Sequence, residues 1–133
     1  TDRLNEIIKE EGLLNWEIVP VNNGSRPSES EGEYYDSLGT EMWARLRDIL
    51  QENFSAHVQG KTSVIELPQD ERLVTQLTQR KYRMTSRGKI ALERKEDMKK
   101  RGLDSPDRAD AVVLAFAELA KPEVFFYAGV GSR

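Results

Sequence analysis

Apolar residues recur at intervals of three and four along much of the chain, which is the spacing of one face of an α-helix. Gly12 is a stop signal for the first of these stretches. Gly39 disfavours the first turn of the second, so we expect the regular part of that helix to begin near residue 40. The pattern predicts helices over residues 2–11, 34–53, 69–78, 95–101 and 105–120.

Other stretches alternate apolar and polar residues, or are short and rich in β-branched residues, which is typical of strands. Residues 81–85 and 89–93 predict a hairpin, and residues 16–21 and 63–67 predict two further short strands. Residues 124–127 are either another strand or a loosely packed tail. Helices and strands are mixed along the chain, so the predicted fold class is α/β, with helices against a sheet.

The region between the first strand and the long helix, residues 22–33, is rich in Asn, Gly, Ser, Pro and Glu, and predicts a mobile loop. Neither flank is long enough to form a domain, and 133 residues suit a single domain. With 38% hydrophobic and 32% charged residues the chain has the composition of a soluble globular protein. No apolar run is long enough to span a membrane.

The absence of cysteine excludes disulfides, thiolate zinc sites and cysteine catalysis. The single histidine, His57, excludes a site with two histidine ligands, and we place it in a surface loop after the long helix.

The net charge of −3 is unevenly distributed. Residues 1–78 hold 15 acidic and 7 basic side chains, whereas residues 79–133 hold 8 acidic and 13 basic ones. Ten of these basic residues lie within residues 79–101, on the predicted hairpin and the helix after it. Two interpretations stay open: a solvated, salt-bridged surface, or a surface for an anionic partner.

Residues 105–117 carry the most distinctive chemistry. Ser105 is a favourable N-cap and Pro106 a favourable first helical residue. The residues that follow are apolar on every side, which predicts a buried helix. Asp107 and Asp110 lie three residues apart at its entrance and should share a face. They either offset the helix dipole, by about 0.3–1 kcal/mol each, or bind a hard divalent cation.

The sequence Ser-Pro-Asp-Arg-Ala-Asp-Ala at residues 105–111, followed by an apolar helix, resembles the C-terminal signature of tailed-phage large terminase subunits. Residues 41–47, 73–82 and 86–101 resemble the nuclease domain of that family in the same order and spacing. The resemblance covers roughly residues 2–120.

The resemblance implies an RNase H-like (resolvase-like) mixed sheet flanked by helices. It implies a nuclease portion of the phage DNA-packaging terminase that hydrolyses double-stranded DNA endonucleolytically with two Mg²⁺ or Mn²⁺ ions. The implied partners are double-stranded DNA, the portal, the small terminase subunit and the terminase ATPase domain, with no membrane. The implied location is the cytoplasm of an infected or lysogenic bacterial host.

Carried over by position, Asp107 matches the last metal-binding aspartate of the family and Asp110 its neighbour. Both are therefore the predicted catalytic and metal-binding residues. The resemblance also favours the anionic partner for the basic surface, with the backbone of DNA contacted by Arg80, Lys81, Arg83, Arg87, Lys89, Lys99 and Lys100.

In the family, two further acidic residues lie on strands that precede the helix matched by residues 2–11. Those strands are not in this sequence, so the expected fold is truncated at its N-terminal side. A phosphate-binding Gly-x-x-x-x-Gly-Lys-Ser/Thr loop is also absent. Whether the chain is itself an enzyme stays open. The alternatives are a non-catalytic DNA-binding or motor-assembly module and an inactive prophage remnant.

Overall fold

The computed structural model describes residues 2–13 and 15–117, which form five helices and one two-stranded hairpin. Four of the predicted helices and both hairpin strands form within a few residues of their expected limits, and the fifth, at residues 105–120, is shorter than predicted. The elements are α1 (Asp2–Glu10), α2 (Leu38–Val58), α3 (Glu71–Gln79), β1 (Tyr82–Met84), β2 (Ile90–Leu92), α4 (Lys95–Lys100) and α5 (Asp107–Ala115).

The strands β1 and β2 pair antiparallel, with Arg83 opposite Ala91. Gly88 closes the turn with a φ of 76°, a left-handed conformation that favours glycine. On its other side β2 forms an isolated parallel bridge from Ile90 to Tyr35. The main-chain N–H of Leu92 donates to Thr40 Oγ1 at 3.1 Å, which joins the hairpin to α2.

The prediction of strands at residues 16–21 and 63–67 is wrong for the chain as it stands. Both segments run without helix or strand, and among the described residues neither pairs with a strand. A strand needs a partner for its main-chain groups, and in the second segment a side-chain acceptor takes that place. Asn53 Oδ1 accepts from the main-chain N–H groups of Val64 and Ile65, at 2.6 and 3.1 Å.

The long helix α2 begins at Leu38, earlier than the effect of Gly39 suggested. Gly39 is inside the first turn because the loop lies against it: a Cβ at this position would be 3.0 Å from Asn23 Cβ. Ser37 supplies the N-cap. The cost of a helical glycine is therefore offset by the close approach that only glycine permits.

The loop at residues 22–33 is held to the start of α2. The buried carboxylate of Glu41 accepts from the main-chain N–H and the hydroxyl of Ser28, both at 2.7 Å. Leu38 N–H donates to the Ser25 carbonyl at 2.8 Å. The mobility of this loop stays a prediction, but part of it is fixed by these bonds.

The end of α2 also differs from expectation. The helix continues to Val58, so His57 lies in its last turn and not in a loop. Gly60, with a φ of 68°, follows the helix end.

The core lies where α2 meets α5, and its buried centre is Met42, Leu46 and Val113. α5 packs on α2 and α3. Because those contacts lie on one side, only Ala109 and Val113 of α5 are buried, and Leu114 is 45% exposed. The prediction of a helix buried on all sides is therefore wrong, because only one face of α5 is buried. Its expected last residues, 118–120, and the possible strand at 124–127 lie outside the described residues.

Glu93 joins the base of the hairpin to the ends of α3 and α4. Its carboxylate accepts from Arg101 Nε and Nη2 at 2.7 and 2.8 Å, and from Lys81 N–H at 3.0 Å. Arg101 Nη2 also donates to the carbonyl of Gln79. The hydrogen bonds from Arg101 and, next, from Lys81 N–H lower the pKa of Glu93 from 4.5 to about 2.

We expect Glu93 to make the stability of the fold depend on acid pH. Its pKa in the folded chain lies below the unfolded value, so its contribution is present above pH 4.5 and is lost as the pH falls towards about 2. Denaturant unfolding of the unmodified chain and of Glu93→Gln should differ at neutral pH and converge in acid. The variant Glu66→Gln, at an exposed position, is the control, and a Glu93→Gln difference that is constant with pH would contradict the assignment.

Within the described ranges, no helix has the length and apolar content that crossing a membrane requires.

Candidate functional site

The aspartate-bearing helix α5 begins one residue later than the sequence suggested. Pro106 stands at the N-cap position, and its carbonyl accepts from the Asp110 N–H at 2.8 Å. Ser105 is therefore not the N-cap. Its hydroxyl instead donates to Asp107 Oδ1 at 2.6 Å.

Because Pro106 has no side-chain acceptor, a residue of another helix caps α5. Gln76 Oε1 accepts from the main-chain N–H groups of Arg108 and Ala109, at 2.9 and 3.0 Å. The guanidinium of Arg108 in turn binds Asp70 Oδ2, while Asp70 Oδ1 caps α3 through Arg72 and Leu73. The hydrogen bond from the Leu73 N–H, and next the charge of Arg108, lower the pKa of Asp70.

Asp107 is exposed and stands at the edge of a cleft of about 670 Å³ between α3 and the start of α5. Asp104 and Gln76 also line this cleft. The Asp107 carboxylate accepts a hydrogen bond from the Ser105 hydroxyl, and no cation forms an ion pair with this carboxylate among the described residues. Its charge is therefore open to solvent and to a ligand from the cleft.

Asp110 has a different environment, with its side chain 17% exposed. Lys95 Nζ lies 2.7 Å from its Oδ2, and Arg80 Nη1 lies 3.6 Å from its Oδ1. The indole Nε1–H of Trp43 donates to the same Oδ1 at 3.1 Å. We call these four residues the Asp110 cluster. Two cations and an indole donor compensate the charge of this carboxylate.

Arg80 is the least exposed cation of the Asp110 cluster, with its side chain 9% exposed. Its guanidinium carbon lies 4.8 Å from the centroid of the Trp43 ring, and its Nε donates to the Glu93 carbonyl at 3.0 Å. Burial lowers the pKa of Arg80, and the nearby charges of Asp110 and Glu93 oppose that shift. Arg80 is thus a largely buried cation, held by the Asp110 carboxylate, the Trp43 ring and the Glu93 carbonyl.

Among the described residues, the two predicted metal ligands, Asp107 and Asp110, share no hydrogen-bond or ion-pair partner. Across residues 2–13 and 15–117 no group of three or more histidine, aspartate or glutamate side chains is arranged to hold a metal ion. The metal-binding role of the pair stays a prediction, and the geometry favours Asp107 as the residue that is free to perform it.

The predicted DNA-binding residues occupy two neighbouring elements. The register of the hairpin places Lys81, Arg83 and Lys89 on the same face as the buried Ala91, whereas Tyr82 and Met84 on the other face are exposed. Arg87 is exposed in the turn, and Lys99 and Lys100 are exposed on α4. Only Arg80 of the predicted set is withdrawn into the interior.

The described residues share the fold of part of a phage terminase nuclease domain, which confirms the predicted fold class as a truncated version of that fold. The nuclease domain of the large terminase subunit gp2 of bacterial virus Sf6 matches at a TM-score of 0.58, with 24% sequence identity over 76% of this chain. Two structures of a single-residue variant of gp2 from the same virus, one with manganese and one with calcium, each match at a TM-score of 0.56, with 23% identity over 71% of this chain.

The chain spans about half the length of these solved domains: 50% of the first, 48% and 47% of the others. At this level of identity the similarity establishes the fold. No family model matches the chain, and neither does any curated protein.

Sequence reasoning missed the contribution of Gln76, Trp43 and Lys95. Trp43 fits the apolar stripe of α2, and nothing local shows that its indole N–H reaches a carboxylate 67 residues away. Gln76 lies on a polar side of α3, where a solvent-facing amide would look the same. The only available signal was Pro106, which leaves the start of α5 without a local cap.

Proposed function

We propose that this chain is the C-terminal part of a phage-type terminase nuclease domain, and that Asp107 serves metal-dependent endonucleolytic hydrolysis of double-stranded DNA. The fold supports the first part. The observation that carries the second is the open carboxylate of Asp107 at the edge of a cleft, beside an aspartate whose charge is compensated. Its expected setting is the packaging motor, in a bacterial host.

The carboxylate oxygens of Asp107 suit one ligand position of a Mg²⁺ or Mn²⁺ site. Such ions commonly take only one or two carboxylates and complete their coordination with water and phosphate oxygens. Asp107 would be the protein ligand from this chain, with further carboxylates supplied from outside it. The bound ions would activate water and stabilise the leaving oxygen of a phosphodiester. Asp110 holds α5 against α2 and α4 in this proposal.

Contact with the DNA backbone is supported by the predicted DNA-binding residues of the hairpin and α4, which are exposed except for the partly buried Lys89. Lys81, Arg83 and Lys89 share one hairpin face, and Arg87 extends it at the turn. Cations in such a row neutralise phosphates without reading sequence. Lys99 and Lys100 on α4 extend the same proposal, whereas Arg80 supports the site from within.

The test of the nuclease proposal is nicking of supercoiled plasmid with Mn²⁺. We expect Asp107→Asn to lower the nicking rate at least about 100-fold, as removal of a single charge-stabilising group from an active site commonly does. Asp104→Asn is the matched control, because Asp104 lines the same cleft three residues earlier. It should leave the rate within about twofold.

The second candidate function is a non-catalytic DNA-binding module of the motor. It is favoured by the lack of a three-acid group among residues 2–13 and 15–117. Plasmid binding without nicking that depends on Asp107 would select this candidate. Absence of both nicking and binding would select the inactive remnant.

A further inference from the structure

The first turn of α5 is held from outside the helix at two points on α3. Gln76 Oε1 takes the N–H groups of Arg108 and Ala109, and Asp70 binds the guanidinium of Arg108. Both contacts join residues more than 30 positions apart in the sequence. The position of Asp107, the residue that opens this turn, is therefore set by α3.

No other residue of this turn can replace Gln76 as the acceptor for the main-chain N–H groups of Arg108 and Ala109. The N–H groups of Asp107 and Asp110 are bound by the carbonyls of Ser105 and Pro106, which leaves those of Arg108 and Ala109 to Gln76. Ala109 is 0% exposed. Its N–H cannot exchange Gln76 for water without movement of the turn, and an unpaired buried donor is costly.

The chemistry of the acceptor also suits the site. Serine, threonine, aspartate and asparagine are the usual caps, and an aspartate here would place a second negative charge beside Asp107. The amide oxygen of Gln76 satisfies the same donors without a net charge. Gln76 also lines the cleft that Asp107 faces, so a change in its side chain acts on the geometry of that cleft directly.

We propose that Gln76 is a positioning residue for Asp107: its amide oxygen fixes the first turn of α5 and so fixes where the Asp107 carboxylate stands in the cleft. The proposal rests on the assignment of Asp107 as a metal-binding residue. It predicts that loss of the amide oxygen weakens metal binding in a chain that is still folded.

The test uses Mn²⁺ alone as the probe and the full chain at a temperature well below unfolding. Paramagnetic broadening of the main-chain N–H signals of residues 107–110 is followed as Mn²⁺ is added. We expect Gln76→Leu to raise the half-saturating Mn²⁺ concentration at least fivefold, and to speed hydrogen exchange at Arg108 and Ala109 about tenfold. Gln79→Leu is the matched control, because Gln79 lines the same cleft and, among the described residues, its side chain makes no hydrogen bond.

The outcomes separate the positioning role from the proposed function. If the unmodified chain and Gln76→Leu bind Mn²⁺ equally while hydrogen exchange at Arg108 rises, Gln76 is only a structural cap and the positioning role is overturned. If Gln79→Leu weakens binding as much as Gln76→Leu, the effect is not specific and the proposal also fails. If no broadening centred on Asp107 occurs in the unmodified chain, or Asp107→Asn leaves it unchanged, the metal-binding assignment itself is overturned, and the positioning role with it.

Discussion

Replacement of Asp110 by alanine is expected to lower the free energy of unfolding by about 2–4 kcal/mol. The change leaves the guanidinium of Arg80, which is 9% exposed, without one of the two carboxylates, Asp110 and Glu93, whose charges oppose the effect of its burial. It also removes the acceptor of the Trp43 indole. Breaking a buried ion pair commonly costs about 3–5 kcal/mol. We expect a value in or below the lower part of that range, because Lys95 is 46% exposed and can turn to water.

Denaturant unfolding measures this loss of stability, and two further variants serve as comparisons. Asp110→Asn keeps an acceptor for Trp43 but removes the charge, so it should fall between alanine and the unmodified chain. Asp48→Ala removes an exposed pair with Arg47 and should cost no more than about 1 kcal/mol. If Asp110 were instead an uncompensated metal ligand, its removal would relieve repulsion from Asp107 and stabilise the metal-free chain. A gain in stability would therefore contradict the Asp110 cluster as a structural tie.

Reversal of three charges on the hairpin, by Lys81→Glu, Arg83→Glu and Lys89→Glu together, is expected to weaken binding to double-stranded DNA at least 100-fold at low salt. Each phosphate contact contributes about 0.9 to the slope of log affinity against log salt concentration, so the loss of three should flatten it by about 2.7. Fluorescence anisotropy with a labelled duplex at several salt concentrations measures both quantities.

The control for the hairpin variant carries the same change in net charge elsewhere. Lys9, Arg26 and Lys61 are exposed and lie outside the hairpin and α4, and their joint reversal to glutamate should weaken binding far less. Equal losses in the two triple variants would show a net-charge effect, and binding that survives the hairpin reversal would show that DNA contacts another face. Neither result would change the assignment of the fold.

Elements whose signals are local were predictable from the sequence. The hairpin follows from alternation around Gly88, and α3 from its apolar spacing, with Asp70 capping its first turn. The segments at residues 16–21 and 63–67 have strand composition, but a strand forms only against a partner, which their own sequence does not specify. The start of α2 depends in the same way on Asn23, which lies against Gly39.

In the candidate site, too, the features with local sequence signals were predictable and those that depend on distant residues were not. The spacing of Asp107 and Asp110 identified the helix entrance, and the hairpin alternation placed three cations on one face. The sequence could not separate the two aspartates, because their difference comes from Trp43, Arg80 and Lys95, which reach Asp110 from three other parts of the chain. For the same reason Arg80 looked like any other member of the basic run.

The Asp110 cluster also has a consequence for the order in which the chain folds. Its bond between Trp43 and Asp110 joins positions 67 residues apart, whereas the hairpin closes over a few residues. Closing a long loop costs more entropy than closing a short one, and contacts between distant residues slow folding. The hairpin and the helices should therefore form early and the cluster late. The turn that carries Asp107 would then reach its final geometry only in the last steps of folding.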